Sequence, residues 1–125
     1  MPKILYVEDN EDNVYMLSRR LTQQGFEVVV ARDGEEGVAM AAAEAPDLVL
    51  MDLGLPVLDG WEATRRLKSD ASTRHIPVIA LTGHALSGYS KSAKEAGCDA
   101  FLTKPCLPDK LVSEIRKMLA GRETA

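Results

Sequence analysis

The chain lacks most of the features that would tie a small protein to a membrane, a nucleic acid or a disulfide framework. No apolar run approaches the ~20 residues needed to span a bilayer. Met1-Pro2-Lys3 leads straight into a strand-like run without the pattern of a secretory leader, so the expectation is a cytoplasmic protein with no membrane insertion. Basic charge is scarce: 15 Lys and Arg stand against 19 Asp and Glu, for a net charge of −4 and a pI near 5.2. That balance argues against direct nucleic-acid binding, whose affinity comes mostly from clustered cations. Arg65-Arg66 and Lys68 make only a short basic stripe on a predicted helix, which a solvated face accounts for. The two cysteines, Cys98 and Cys106, match no metal or redox spacing and read as small packing residues. His75 and His84 are too far apart and too unlike in setting for a zinc pair. Repeats, low-complexity tracts and linkers are missing as well.

What is present is the material of one domain. The 125 residues are 46% hydrophobic and 27% charged, enough for a single core and not for two, so residues 1–125 are expected to form one unit. Apolar runs at 3–7, 26–31, 47–51, 76–81 and 100–103 read as buried strands, and a helical pattern follows each. The first helix is expected over 11–24, with Val14, Leu17 and Leu21 on one face and Gly25 as its stop. Asp33 precedes Gly34-Glu35-Glu36, acidic groups suited to a helix N-terminus, and Pro46 ends that second helix. A third begins near Gly60 and carries Trp61, Thr64 and Leu67. A fourth, over 88–96, has only Tyr89 as a large apolar group beside Ala93 and Ala96, so its docking should be marginal. The fifth starts at Pro108 and presents Leu111, Ile115, Met118 and Leu119 on one stripe, with Gly121 closing it and 122–125 as a frayed tail. Five strand-helix units in succession predict an α/β fold, doubly wound, with a five-stranded parallel sheet and five helices on its two faces. Periodicity leaves the strand order open.

In such a sheet the C-terminal ends of the strands share one edge, where ligands of open α/β sheets bind. Glu8 and Asp9, Asp52, Thr82 and Lys104 each stand at the end of a different strand, so three carboxylates, a hydroxyl and an ammonium converge there from distant parts of the chain. Taken singly, each has a plainer reading: Glu8-Asp9-Asn10 as a polar loop opening a helix, Asp52 and Lys104 as surface charges. Jointly, three carboxylates with one compensating lysine demand a cation. An all-oxygen set with few carboxylates suits Mg²⁺, which keeps several waters and completes its shell with phosphate oxygen. A carboxylate beside that ion can act as a nucleophile on phosphorus, giving an aspartyl phosphate, while Thr82 and Lys104 are of the types that stabilise a transferring phosphoryl group.

The run Met51-Asp52-Leu53-Gly54-Leu55-Pro56-Val57-Leu58-Asp59-Gly60 carries a family resemblance. Glu8-Asp9 after the first strand, Leu81-Thr82-Gly83 after the fourth and Lys104-Pro105 after the fifth complete it. Together they resemble the receiver domain of two-component response regulators, such as the single-domain chemotaxis-type and hybrid-kinase receivers, over residues 3–119. The resemblance implies a flavodoxin-like sheet of order 2-1-3-4-5. It implies that Asp52 is the phosphoacceptor, that Asp9, Asp52 and the backbone carbonyl of Gly54 bind Mg²⁺, and that Glu8 acts through metal-bound water. Thr82 would hydrogen-bond the phosphoryl group, Lys104 would pair with it, Phe101 would be the rotating switch aromatic, and Lys104-Pro105 would be a cis peptide. The protein would then be a phosphorelay signalling switch, catalysing only its own phosphorylation and dephosphorylation. Its partners would be a histidine kinase or histidine phosphotransferase and a downstream protein on the face made by the fourth helix, fifth strand and fifth helix.

Two other functions share the topology. A flavin-binding electron carrier needs a hydroxyl- and glycine-rich phosphate loop after the first strand, whereas Glu8-Asp9-Asn10-Glu11-Asp12 would repel a phosphate. A Mg²⁺-dependent phosphohydrolase needs a second carboxylate two residues after its nucleophile, and that position is Gly54. Gly54 also cannot shield an acyl phosphate, which bears on the lifetime of the phosphoryl group.

Overall fold

The computed structural model describes residues 2–52, 60–82, 97–103 and 108–124. Its five strands are β1 (Lys3–Val7), β2 (Glu27–Ala31), β3 (Leu48–Asp52), β4 (Val78–Thr82) and β5 (Ala100–Thr103). They form one sheet in the order β2-β1-β3-β4-β5 with every neighbouring pair parallel, the order that the resemblance implied. The described helices are α1 (Glu11–Gln23), α2 (Gly34–Glu44), α3 (Gly60–Ser69) and a C-terminal helix (Pro108–Thr124). The helix expected over 88–96 lies outside the described residues.

Strand periodicity divides the core into two layers, because successive side chains of a strand point to opposite faces. Ile4, Tyr6, Leu48, Leu50, Ile79 and Leu81 face Val14 and Leu21 of α1 and Leu111, Val112 and Ile115 of the C-terminal helix. Leu5, Val7, Val49, Met51 and Val78 face Ala41 of α2 and Ala63 and Leu67 of α3. The helices of the second layer therefore meet the sheet largely through small residues. At Gly37 of α2 an added Cβ would lie 2.9 Å from Val7 Cγ2, closer than real contacts allow, so the absence of a side chain lets α2 seat on β1.

The helix starts follow their caps. Asn10 accepts the Asn13 N–H at 3.0 Å and Asp33 accepts the Glu36 N–H at 2.8 Å, each satisfying a donor that the first turn leaves unpaired. Gly25 takes φ +93° just past α1, where glycine enters the left-handed region without a Cβ penalty. Ala45 does the same work after α2 at φ +46° despite its Cβ, directly before Pro46.

Several boundaries differ from the sequence expectation: α1 ends at Gln23 rather than at 24, β3 runs over Leu48–Asp52 rather than 47–51, and three further differences follow from the local backbone. β2 starts at Glu27 because the Phe26 N–H is taken by the Leu21 carbonyl at 3.1 Å. β4 starts at Val78 because Ile76 N–H closes a turn onto the Thr73 carbonyl at 3.0 Å and Pro77 has no N–H. The C-terminal helix runs through Gly121 to Thr124, so 122–124 are helical rather than a frayed tail. A glycine inside a helix costs about 1 kcal/mol relative to alanine, which weakens a helix without obliging it to stop.

Candidate metal centre

β1 and β3 are neighbours, yet the helices that follow them, α1 and α3, pack on opposite faces of the sheet. Chains leaving adjacent strands in opposite directions open a crevice at the strand ends. Glu8 and Asp9 stand on one side of it, between β1 and α1, and Asp52 is the last residue of β3 on the other. Carboxylate oxygens of Glu8, Asp9 and Asp52 all lie within 4.8 Å of one another. Asp9 is exposed, whereas Glu8 is only 1% and Asp52 7% exposed.

Glu8 is built into its place. Its N–H donates to the Ala31 carbonyl at 2.9 Å, fixing the residue against the end of β2. Its Oε1 accepts the Tyr6 hydroxyl at 3.2 Å and the Asn13 side-chain amide at 3.2 Å, and its Oε2 accepts the Asn10 N–H at 3.4 Å. Such donors stabilise a buried carboxylate that would otherwise suffer both desolvation and the repulsion of its neighbours. The segment thus serves as helix opener and as acid presenter together, since Asn10 is the cap of α1.

The same electrostatics act on Tyr6. Burial, first, and then the charge and hydrogen bond of Glu8 and the charge of Asp52 push its hydroxyl well above the ordinary phenol range. Tyr6 is therefore a permanent donor toward Glu8. Farther from the crevice, burial pushes the Cys98 thiol up, consistent with its reading as a packing residue.

The donor chemistry fits a hard divalent cation: oxygen atoms only, carboxylates, one of them open to solvent. Glu8, Asp9 and Asp52 could hold Mg²⁺, the ion expected from the sequence. Thr82 closes β4 at the same edge, one residue beyond the Asp52↔Leu81 pair, and Phe101 sits in β5 opposite Ala80. Their backbones are described and their side chains are not. Gly54, Lys104 and the 83–96 segment lie outside the described residues.

Sequence reasoning brought the three acids together but missed the groups that hold Glu8. Tyr6 carried a readable signal, since two residues before Glu8 on a strand places it on the same face. Asn13 carried a weaker one, three residues after the cap of α1.

Similarity to known proteins bears on this site. The response regulator receiver domain family matches over residues 4–116. The polar-differentiation response regulator DivK of Brucella anthropi is 38% identical over 120 residues, covering 95% of this chain and 98% of DivK. Among solved structures, the receiver domain of the sensor histidine kinase PA1611 from Pseudomonas aeruginosa superposes with a TM-score of 0.89 at 35% identity. It covers 95% of this chain and 98% of that domain, which has a magnesium ion coordinated in its active-site cleft. The receiver domain of a signal transduction histidine kinase from Syntrophus aciditrophicus gives a TM-score of 0.90 at 34% identity, over 97% of this chain and 92% of that one. The fold and the acidic crevice define a receiver of two-component signalling. This chain belongs to the response regulator receiver domain family.

Proposed function

We propose that this chain is a single receiver domain over residues 1–125 that works in the cytoplasm as a phosphorylation-dependent switch. It takes a phosphoryl group from the phosphohistidine of a histidine kinase or histidine phosphotransferase onto Asp52. The observation that carries the reading is the convergence of Glu8, Asp9 and Asp52 within 4.8 Å at the strand-end crevice. Asp9, Asp52 and the Gly54 carbonyl would hold Mg²⁺, with Glu8 acting through water, and the PA1611 receiver, with magnesium in its cleft, supports that assignment. Bound Mg²⁺ would offset the negative charge shared by carboxylates and phosphoryl oxygens.

The chain's own residues do the rest. An Asp52 carboxylate oxygen attacks phosphorus, forming the acyl phosphate as the phosphorus–nitrogen bond to the donor imidazole breaks and its electron pair returns to nitrogen. Thr82 donates to the phosphoryl oxygens, Lys104 pairs with them, and Phe101 turns as Thr82 moves. The altered face, made by the 88–96 segment, β5 and the C-terminal helix, then binds a downstream protein. Among the described residues no helix is long and apolar enough to cross a membrane, in keeping with this role.

The test is intact mass after treatment with acetyl phosphate or phosphoramidate and Mg²⁺. One base-labile phosphoryl group is expected on the wild type and none on Asp52→Asn. An unmodified wild type, or an equally modified Asp52→Asn protein, overturns the reading.

A further inference from the structure

β2 is an outer strand of the sheet, paired with β1 alone. The Glu27 N–H donates to the Pro2 carbonyl and the Ala31 carbonyl accepts the Glu8 N–H, both at 2.9 Å, so Glu27, Val29 and Ala31 turn their backbone groups toward β1. Alternation then turns the N–H and C=O of Val28 and Val30 outward, where they have no partner among the described residues. Natural edges are commonly blunted by lysine, proline or a bulge. The Val28-Val29-Val30 run has none of these: its register with β1 is unbroken and its three side chains are only half-buried. Above it, Glu11 of α1 is paired with Arg32, which follows β2, so that flank of the helix overhangs the edge. Tyr15 stands one turn farther along the same flank and is 64% exposed, while Val28 and Val30 pack toward the layer beneath α1.

We propose that β2 is the docking edge for a second copy of this chain, the two strands pairing antiparallel about a two-fold axis at Val29. Val28 of each copy then lies opposite Val30 of the other, and every outward N–H of these residues meets an outward carbonyl. Charge matches in the same arrangement. The Glu27 end of one strand meets the Arg32 end of the other at both extremities, and both side chains are about half exposed, at 52% and 44%, beside Lys3 and Glu11. Complementarity of the strand to itself, in hydrogen bonds and in charge, selects a second copy over a foreign strand. Pairing here needs neither Mg²⁺ nor a phosphoryl group, because β2 lies at the sheet edge opposite β5 and leaves the acidic crevice uncovered.

The experiment is sedimentation equilibrium of the full chain over a range of concentrations, with wild type expected to pass from monomer to dimer in the presence of EDTA. Val30→Pro removes an outward donor and none that β1 uses, and should weaken the dimer by about tenfold or more. A second measurement stands even if that variant fails to fold. In a Cys98→Ala, Cys106→Ala background, Val29→Cys places two thiols across the axis at a non-hydrogen-bonded pair, with Cα atoms about 4.5 Å apart, within disulfide range. Mild oxidation should link it into a covalent dimer, whereas Val28→Cys, set opposite Val30 rather than itself, should link poorly. A wild type that stays monomeric at every concentration overturns the proposal, and so does a dimer that Val29→Cys fails to link or that Val28→Cys links equally well. Each of these outcomes leaves phosphorylation at Asp52 untouched.

Discussion

Where the strands begin, Lys3 Nζ lies 3.6 Å from Glu27 and 3.9 Å from Glu44, and its N–H donates to Asp47 Oδ2 at 2.7 Å. Farther along the same edge Lys68 Nζ donates to Asp99 Oδ2 at 2.8 Å and to the Ile76 carbonyl at 2.8 Å, while the Val78 N–H donates to that same Asp99 oxygen at 2.8 Å. Where the strands end, by contrast, Glu8, Asp9 and Asp52 crowd three carboxylates within 4.8 Å. Exposed ion pairs contribute little by themselves. The worth of the lower edge lies in using charged side chains to satisfy backbone groups that the sheet leaves over. The upper edge does the opposite and keeps like charges together, a cost in stability of the sort that functional sites carry. One sheet is thus fastened at its starting edge and charged with like acids at its finishing edge.

That contrast can be broken in three ways. Asp99→Ala removes the acceptor of both Lys68 and the Val78 N–H, and should destabilise the protein by about 2 kcal/mol in urea unfolding, with Mg²⁺ affinity unchanged. A shifted Mg²⁺ affinity would mean that the two edges are coupled.

Next in size is an alkaline effect seated at the upper edge. The folded state holds the Tyr6 hydroxyl neutral well above its ordinary value of 10.0. The stabilisation is therefore fully present below about pH 10 and is lost as pH rises beyond it, because the unfolded chain releases that proton first. Wild type should lose roughly 1.4 kcal/mol per pH unit more than Tyr6→Phe above pH 10. Parallel profiles for the two proteins would place Tyr6 in an ordinary environment.

The smallest effect has the opposite sign. In EDTA, Asp52→Asn should raise stability by roughly 1 kcal/mol through relief of repulsion in the cluster, and saturating Mg²⁺ should erase or reverse that advantage by stabilising wild type. A variant less stable than wild type in EDTA would show that the acids are not in conflict.

Much of this was legible beforehand. Short continuous apolar runs located all five strands, and Asn10 and Asp33 marked helix starts because capping is a local interaction readable over three or four residues. The three acids converged on paper because parallel strands put their C-terminal ends at one edge. The beginnings of β2 and β4 were displaced because Phe26 and Ile76 spend their N–H groups on turns, a competition between neighbouring carbonyls that apolar patterning does not encode. The Asn13–Glu8 and Lys68–Asp99 bonds join residues of different elements, so they depend on where whole helices settle. The last helix outruns the sequence expectation because a glycine weakens a helix without ending it, and the backbone stays helical through Gly121.

The pairing of Asp47 with Lys3 has a reach well beyond its own edge. Asp47 N–H donates to the Lys3 carbonyl at 2.8 Å, and the side chain returns the bond from Lys3 N–H at 2.7 Å, which docks the entry of β3 on β1 like the zero mark of a vernier. From there the ladder counts upward pair by pair, from Ile4↔Leu48 to Val7↔Met51, and the next graduation is Asp52 beside Glu8. At about 3.3 Å per residue, a one-residue slip at the zero mark would lift or sink the acid by that distance and turn it to the other face of the sheet. The tolerance of the chemistry at the top is therefore set five residues away, by a carboxylate that never meets the crevice.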